Sequence, residues 1–92
     1  MENEGFKVNE SDSRFELNVE GGKAIIDFTK KADTFNLTHT EVPEAQQGKG
    51  VANKIVGKSL QYLKDNNYKV VPSCSFVAAY IARHPEWKSI LA

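Results

Sequence analysis

Apolar and polar residues alternate without a break over residues 14–20, where Phe15, Leu17 and Val19 are separated by Arg14, Glu16, Asn18 and Glu20. A period of two sends successive side chains to opposite sheet faces, so this stretch predicts a strand with one buried face. Gly21-Gly22 follows, and two residues that accept positive φ make the tight turn of a hairpin. The returning strand, residues 23–30, carries Ala24, Ile26 and Phe28 on one face and Ile25, Asp27 and Thr29 on the other. Lys31, Ala32 and Asp33 turn the chain again. A third long strand, residues 34–42, sets Phe35, Leu37, His39 and Glu41 on one side. A short edge strand at residues 6–9 precedes these, joined through Asn9-Glu10-Ser11-Asp12-Ser13, whose side chains bond their own backbone in turns. Residues 1–5 are polar and are expected to fray. The first half is an antiparallel meander.

Pro43 ends that ladder because it has no N–H to donate. Residues 43–47 lead into Gln46-Gln47-Gly48-Lys49-Gly50-Val51-Ala52, after which the period changes. Val51, Ala52, Ile55, Val56, Leu60, Tyr62 and Leu63 recur at helical spacing, with Asn53, Lys54, Lys58, Gln61 and Lys64 facing away. Asp65-Asn66-Asn67 stops this helix. Residues 69–72 form one more strand, parallel to the third long strand through a right-handed crossover, since a helix separates the two. Ser73 or Ser75 caps a second helix containing Phe76, Val77, Ala79, Tyr80 and Ile81. His84-Pro85 closes it, and Trp87, Ile90 and Leu91 form a packing tail. The predicted order is β-β-β-β-α-β-α. This is a mixed α/β (α+β) domain over residues 1–92, a meander with one β-α-β crossover and a C-terminal helix.

Composition narrows the functional classes. Twelve acidic and twelve basic residues balance, so no global basic field is present to hold nucleic acid or an anionic membrane. No apolar run is long enough to span a bilayer. A single cysteine allows no internal disulfide and suits a reducing compartment. The expectation is a cytoplasmic monomer.

The glycine stretch carries the chemistry. The first turn of a helix has backbone N–H groups without intrahelical partners and the positive end of the macrodipole. A glycine-rich approach to such a turn suits phosphate or pyrophosphate. The P-loop is excluded, because no Gly-Lys-Ser or Gly-Lys-Thr occurs. The dinucleotide fingerprint also fails: Asn53 stands at its third glycine, and the motif follows the last strand of a meander. Ligands of open sheets collect at the carboxyl ends of parallel strands. The glycine loop leaves one such end and Cys74 leaves the other, so the two are expected to be neighbours.

The pattern that fits is Q/R-x-x-G-x-G/A, here Gln47-Gly48-Lys49-Gly50-Val51-Ala52. In this setting it resembles the acyl-CoA-binding motif of the GNAT superfamily of N-acetyltransferases. His39-Thr40-Glu41-Val42-Pro43, Val71-Pro72-Ser73-Cys74-Ser75-Phe76-Val77 and Arg83-His84-Pro85-Glu86-Trp87 are similar to segments of a small stand-alone GNAT-like family of about this length. The resemblance implies acetyl-CoA as acyl donor and an amine as acceptor. It implies that the pantetheine arm pairs with the backbone of Thr40, Glu41 and Val42. The diphosphate would take the amides of Gly48, Lys49, Gly50, Val51 and Ala52, with Gln47 bracing the loop. It also places Cys74 near the thioester end. Typical superfamily members are longer, with helices after the first strand and strands after the last helix; their absence here implies an open acceptor side.

Catalytic candidates follow from what acyl transfer to an amine requires: a base, oxyanion donors and an acid for the leaving thiolate. Cys74 is either an acyl-accepting nucleophile, its thiol pKa lowered by the helix start, or a packed small side chain. His39 and Glu41 share strand parity, and either is a candidate base; a backbone N–H near Glu41 and Val42 is the candidate oxyanion donor. Tyr80 stands about where many GNAT enzymes keep a tyrosine that protonates the thiolate, although a helix tyrosine among apolar neighbours also suits a core. His39, His84 and Cys74 show no paired ligand spacing, so no metal site is expected. The alternative to an enzyme is a CoA-binding module with little turnover.

Overall fold

The computed structural model describes residues 5–92; most of the stretch expected to fray, residues 1–4, lies outside the described residues. β1 (Phe6–Asn9), β2 (Arg14–Val19), β3 (Gly22–Lys31) and β4 (Thr34–Glu41) form the antiparallel meander. α1 (Val51–Asp65) then crosses over to β5 (Lys69–Pro72), which pairs parallel with β4. The sheet has five strands in the order β1-β2-β3-β4-β5. α2 (Ser75–Arg83) and a 3-10 turn over Pro85–Ile90 complete the chain. The mixed α/β architecture expected from the periodicity is the one found.

One face of the sheet makes the core. Phe15, Leu17, Ala24, Ile26, Phe28, Phe35, Leu37 and Val70 are buried there against Ile55, Val56, Leu60 and Leu63 of α1 and Val77 and Ile81 of α2. Phe15 sits at its centre, with the rings of Phe28 at 5.0 Å and Tyr62 at 5.8 Å, edge-on. Rings at such separations add about 1 kcal/mol per pair beyond their burial. α1 stops where the sequence says it should. Asn67 takes a left-handed φ of 62°, Tyr68 N–H donates to the Leu63 carbonyl and Asn67 N–H to that of Lys64. These are the paired bonds of a Schellman cap.

The chain after α2 belongs to the fold. Ile90 is buried, Leu91 bridges Val70 in parallel, and Ala92 N–H donates to the Val70 carbonyl at 3.0 Å. Val70 thus spends its outward carbonyl on the tail. Pro72, two residues on, has no N–H to offer at the same edge, which blunts it against further strand addition.

Three expectations need correction. The strand over residues 34–42 does not keep one parity. Asp27 pairs with His39 but Phe28 pairs with Leu37, so Thr38 is an extra residue in β4. This is a β-bulge, and it reverses the facing of everything after it. Phe35 and Leu37 face the core, whereas His39 and Glu41 face the opposite, uncovered side. The second correction concerns α2, whose N-cap position is taken by Cys74, not by Ser73 or Ser75. The third is the β2–β3 turn, which is Glu20-Gly21 and not Gly21-Gly22, since Gly22 already pairs with Val19 as the first residue of β3.

That uncovered side holds a buried carboxylate. Glu16 is 5 % exposed and accepts hydrogen bonds from Asn9 Nδ2 at 3.0 Å and Lys23 Nζ at 3.2 Å. The Asn9 bond, opposed by burial and aided by Lys23, holds its pKa below the usual 4.5. A carboxylate depressed in the fold stabilises it above the unfolded pKa, and that contribution is lost as pH falls through the folded one. Glu16→Gln is therefore expected to cost about 1 kcal/mol at neutral pH and to flatten the loss of urea stability below pH 4.5. Ile90→Ala is expected to cost about 2–4 kcal/mol in the same assay; a loss within experimental error would show that the tail is not part of the core.

Candidate acyl-CoA site

β4 outruns its parallel neighbour. The β4–β5 ladder ends at the pair Leu37 and Pro72, and its last tie is Cys74 N–H donating to the Leu37 carbonyl at 2.8 Å. The bulge lies immediately beyond, and bulges increase local twist and bend the strand. Residues 38–42 consequently have no strand partner on the β5 side. Among the described residues that edge carries no strand, so apart from the Val42 carbonyl, taken by Gln47, and the Thr40 backbone, which acts on the Cys74 sulfur, its backbone groups can pair with an extended ligand carrying amides.

The bulge also makes a side-chain contact. With parity reversed, Thr40 lies opposite Ile26 and faces the helix side. There its Oγ1 is 3.3 Å from Cys74 Sγ. Burial alone would raise the thiol pKa; the Thr40 hydroxyl and backbone, with the first-turn amides of Val77 and Phe76, outweigh it, and the net shift is below the ordinary 9.0. Those amides face the sulfur without making a capping hydrogen bond of normal geometry. A thiol among aligned first-turn donors is poised to ionise more readily than a free cysteine.

The glycine loop leaves the same end of β4. Residues Glu44–Gln46 make a short 3-10 turn, and then Gly48 and Gly50 adopt φ of 81° and 80°. A Cβ added at either would meet nothing within 4 Å. Their glycines serve the left-handed backbone, not close packing. Gly50 is the N-cap of α1 and offers no side-chain cap, so the first-turn amides of the helix keep their donors for another acceptor. Gln47 Nε2 donates to the Val42 carbonyl at 3.2 Å, tying the loop to the strand it leaves. An open cavity of about 320 Å³ lies on the loop, lined by Val42, Gln46, Gln47, Gly48, Gly50, Val51, Ala52, Asn53 and Phe76.

The structure therefore brings the loop, the end of β4 and Cys74 to one end of the sheet. It sets His39 and Glu41 on the other, uncovered face of the sheet. Their side chains are 58 % and 69 % exposed, with Nε2 and Oε2 3.6 Å apart. Tyr80 directs its hydroxyl at α1, where a Cβ on Gly57 would lie 3.0 Å from it, and its ring rests 4.3 Å from that of His84. Lys49 is exposed at the loop tip. Among the described residues, no group of three His, Cys, Asp or Glu side chains is placed to hold a metal, and no helix is long and apolar enough to cross a membrane. Sequence reasoning missed Phe76 and Asn53 in the cavity wall and the side chain of Thr40 at the sulfur. Phe76 is legible only as apolar helix content, and the Thr40 contact exists only because of the bulge.

Alkylation of Cys74 measured against pH is expected to show a midpoint below the ordinary thiol value of 9.0. Thr40→Val removes one group that favours the thiolate, so its midpoint moves upward. An unchanged midpoint would show that the hydroxyl does not act on the sulfur.

The chain is similar to known proteins. Residues 14–90 match the family model described as GCN5-related N-acetyl-transferase. Protein NATD1 of Gallus gallus and of Mus musculus are each 30 % identical over 64 residues, covering 70 % of this chain and 50 % of theirs. NATD1 of Homo sapiens is 30 % identical over the same length. The chain spans about half the length of these curated relatives. The NMR solution structure of a GCN5-like protein from Staphylococcus aureus superposes with a TM-score of 0.73 at 23 % identity, over all of this chain and 91 % of that one; at that identity the likeness speaks to the fold. The match over residues 14–90 covers most of the sequence, and the chain belongs to the GCN5-related N-acetyltransferase family.

Proposed function

We propose that this domain binds acetyl-CoA and transfers its acetyl group to an amine. The observation that carries the reading is the unpaired edge of β4, which runs from the bulge at Thr38 straight to the glycine loop. A pantetheine arm presents amides that suit such an edge, and a diphosphate needs several donors converging on one concavity. The first-turn amides and the cavity at Gly48 and Gly50 supply that. About 320 Å³ is at the small end of ligand pockets, so most of a coenzyme-sized ligand would lie along the surface.

In this reading Thr40, Glu41 and Val42 hold the arm through backbone groups. The amides of Gly48, Gly50, Val51 and Ala52 hold the diphosphate, Lys49 N–H being turned to the Gln46 carbonyl, with Gln47 fixing the loop to β4. Bound acetyl-CoA supplies an acyl thioester, an electrophile for an amine. Cys74 and Thr40 flank the reactive end on the helix side. His39 or Glu41 would accept the amine proton from the open face, through water, since neither side chain shares a face with Cys74. Tyr80 is the candidate acid for the departing thiolate.

That same separation favours a second reading: a CoA-binding module with little turnover, because no imidazole or carboxylate from β4 faces the Thr40–Cys74 contact. Titration with acetyl-CoA followed by backbone NMR is expected to shift amides within residues 47–56. No shifts at saturating ligand would remove both readings. Gly50→Ala meets no atom but must hold a left-handed φ, at a cost of about 1–2 kcal/mol, and is expected to weaken binding severalfold. Thiol release with a panel of amines separates enzyme from module. Cys74→Ala that keeps activity, with no acetyl found on Cys74 by mass spectrometry, would exclude an acyl-cysteine route.

A further inference from the structure

The loop that would hold the diphosphate has almost no packing of its own. Gly48 and Gly50 touch nothing on the side where a Cβ would project, and residues 47–50 are exposed. A loop of two left-handed glycines has a large conformational freedom to lose before it can present its amides in one geometry. Something outside the loop must define where it starts.

We infer that the tip of the β2–β3 hairpin is the positioning element for this loop, with the Gln46 side chain as its latch. Gln46 Nε2 donates to the Glu20 carbonyl at 3.0 Å, a bond between residues 26 apart in sequence. Two backbone approaches lie beside it. The added Cβ of Gly22 would lie 3.5 Å from Pro43 Cγ, and that of Gly21 would lie 3.8 Å from the Ala45 methyl. Gly21 lies in the turn and Gly22 opens β3, with positive φ of 91° and 148° that suit glycine, and both lie beside the loop's first segment. Three of the four residues over 43–46 then lie against the hairpin. Pro43 and Ala45 rest on the hairpin, and Gln46 is bonded to it. Gln46 N–H returns to the Pro43 carbonyl at 2.8 Å, and Lys49 N–H reaches the Gln46 carbonyl at 3.3 Å.

Gln46 consequently joins three parts: the hairpin through its side chain, the 3-10 turn through its N–H, and the glycine loop through its carbonyl. It also lines the cavity. It is a positioning residue, acting on the donors at Gly48 to Ala52 by fixing the backbone from which they hang. The Q/R-x-x-G-x-G/A pattern begins one residue later, at Gln47, so the pattern does not identify it. The effect on binding rests on the diphosphate reading given above; the effect on loop order does not.

Gln46→Leu keeps the size of the side chain and removes the donor. Backbone NMR order parameters of residues 48–51, measured without ligand, are expected to fall in this variant while those of α1 and the sheet stay as they were. Affinity for acetyl-CoA is expected to drop about threefold to tenfold, the range of one hydrogen bond. Affinity for S-acetylpantetheine, which has no diphosphate, is expected to be unchanged. Order parameters equal to those of the wild type would overturn the latch whatever the ligand does. Lower order with acetyl-CoA affinity intact, or an equal loss for S-acetylpantetheine, would overturn its role in presenting the loop. Lower order in the variant together with a wild type that binds no acetyl-CoA would uphold the latch and remove the acetyl-CoA reading instead.

Discussion

β4 contains one more residue than β3 can pair, and the ladder absorbs it at Thr38. A strand has a side-chain period of two, so a single inserted residue exchanges the faces of all residues beyond it. Before the bulge, Phe35 and Leu37 face the core. After it, Thr40 faces the helices, and His39 and Glu41 face away. The insertion also falls where β5 stops pairing. The free edge of β4, the Thr40–Cys74 contact and the exposure of His39 and Glu41 all follow from that one placement.

The glycine loop depends on a different balance. Its conformation uses left-handed backbone at Gly48 and Gly50, and nothing packs against it there. Helix α1 begins with a glycine that cannot cap it. Both features give up some local stability; a glycine in place of a polar N-cap costs roughly a few tenths of a kcal/mol. In return the first-turn donors stay unengaged and the backbone can curve around an anion. Residual definition comes from Gln46 and Gln47, whose side chains tie the loop to the hairpin and to Val42.

Electrostatics plays a local part here. The charged pairs are short-range and lie on the uncovered sheet face, with Arg14 and Asp27 at 3.2 Å and Lys23 and Glu16 at 3.2 Å. The Arg14–Asp27 pair, partly exposed at both ends, is worth at most about 1 kcal/mol, whereas Glu16 is buried at its end of the second pair. What matters for chemistry is the sulfur of Cys74, held at a helix start beside a hydroxyl. Its environment is set by two elements far apart in sequence.

The amino-acid order by itself determined the strands, the presence of a hairpin near Gly21, the crossover helix, its stop at Asn67 and the glycine loop. Each of these is a local matter: a two-residue or 3.6-residue period, a residue that tolerates positive φ, or a proline without a donor. It also brought the loop and Cys74 to one end of the sheet, because parallel strands joined by a helix must end side by side. Only the tertiary structure decided which face His39, Thr40 and Glu41 occupy. Nothing in Thr38 marks a bulge, since the insertion is a property of how two strands match and neither strand alone contains it. The same holds for Cys74 as the N-cap of α2, for Phe76 in the cavity wall and for Gln46 against Glu20. These depend on distances between segments that are far apart in sequence and are brought together by the core around Phe15 and Phe35.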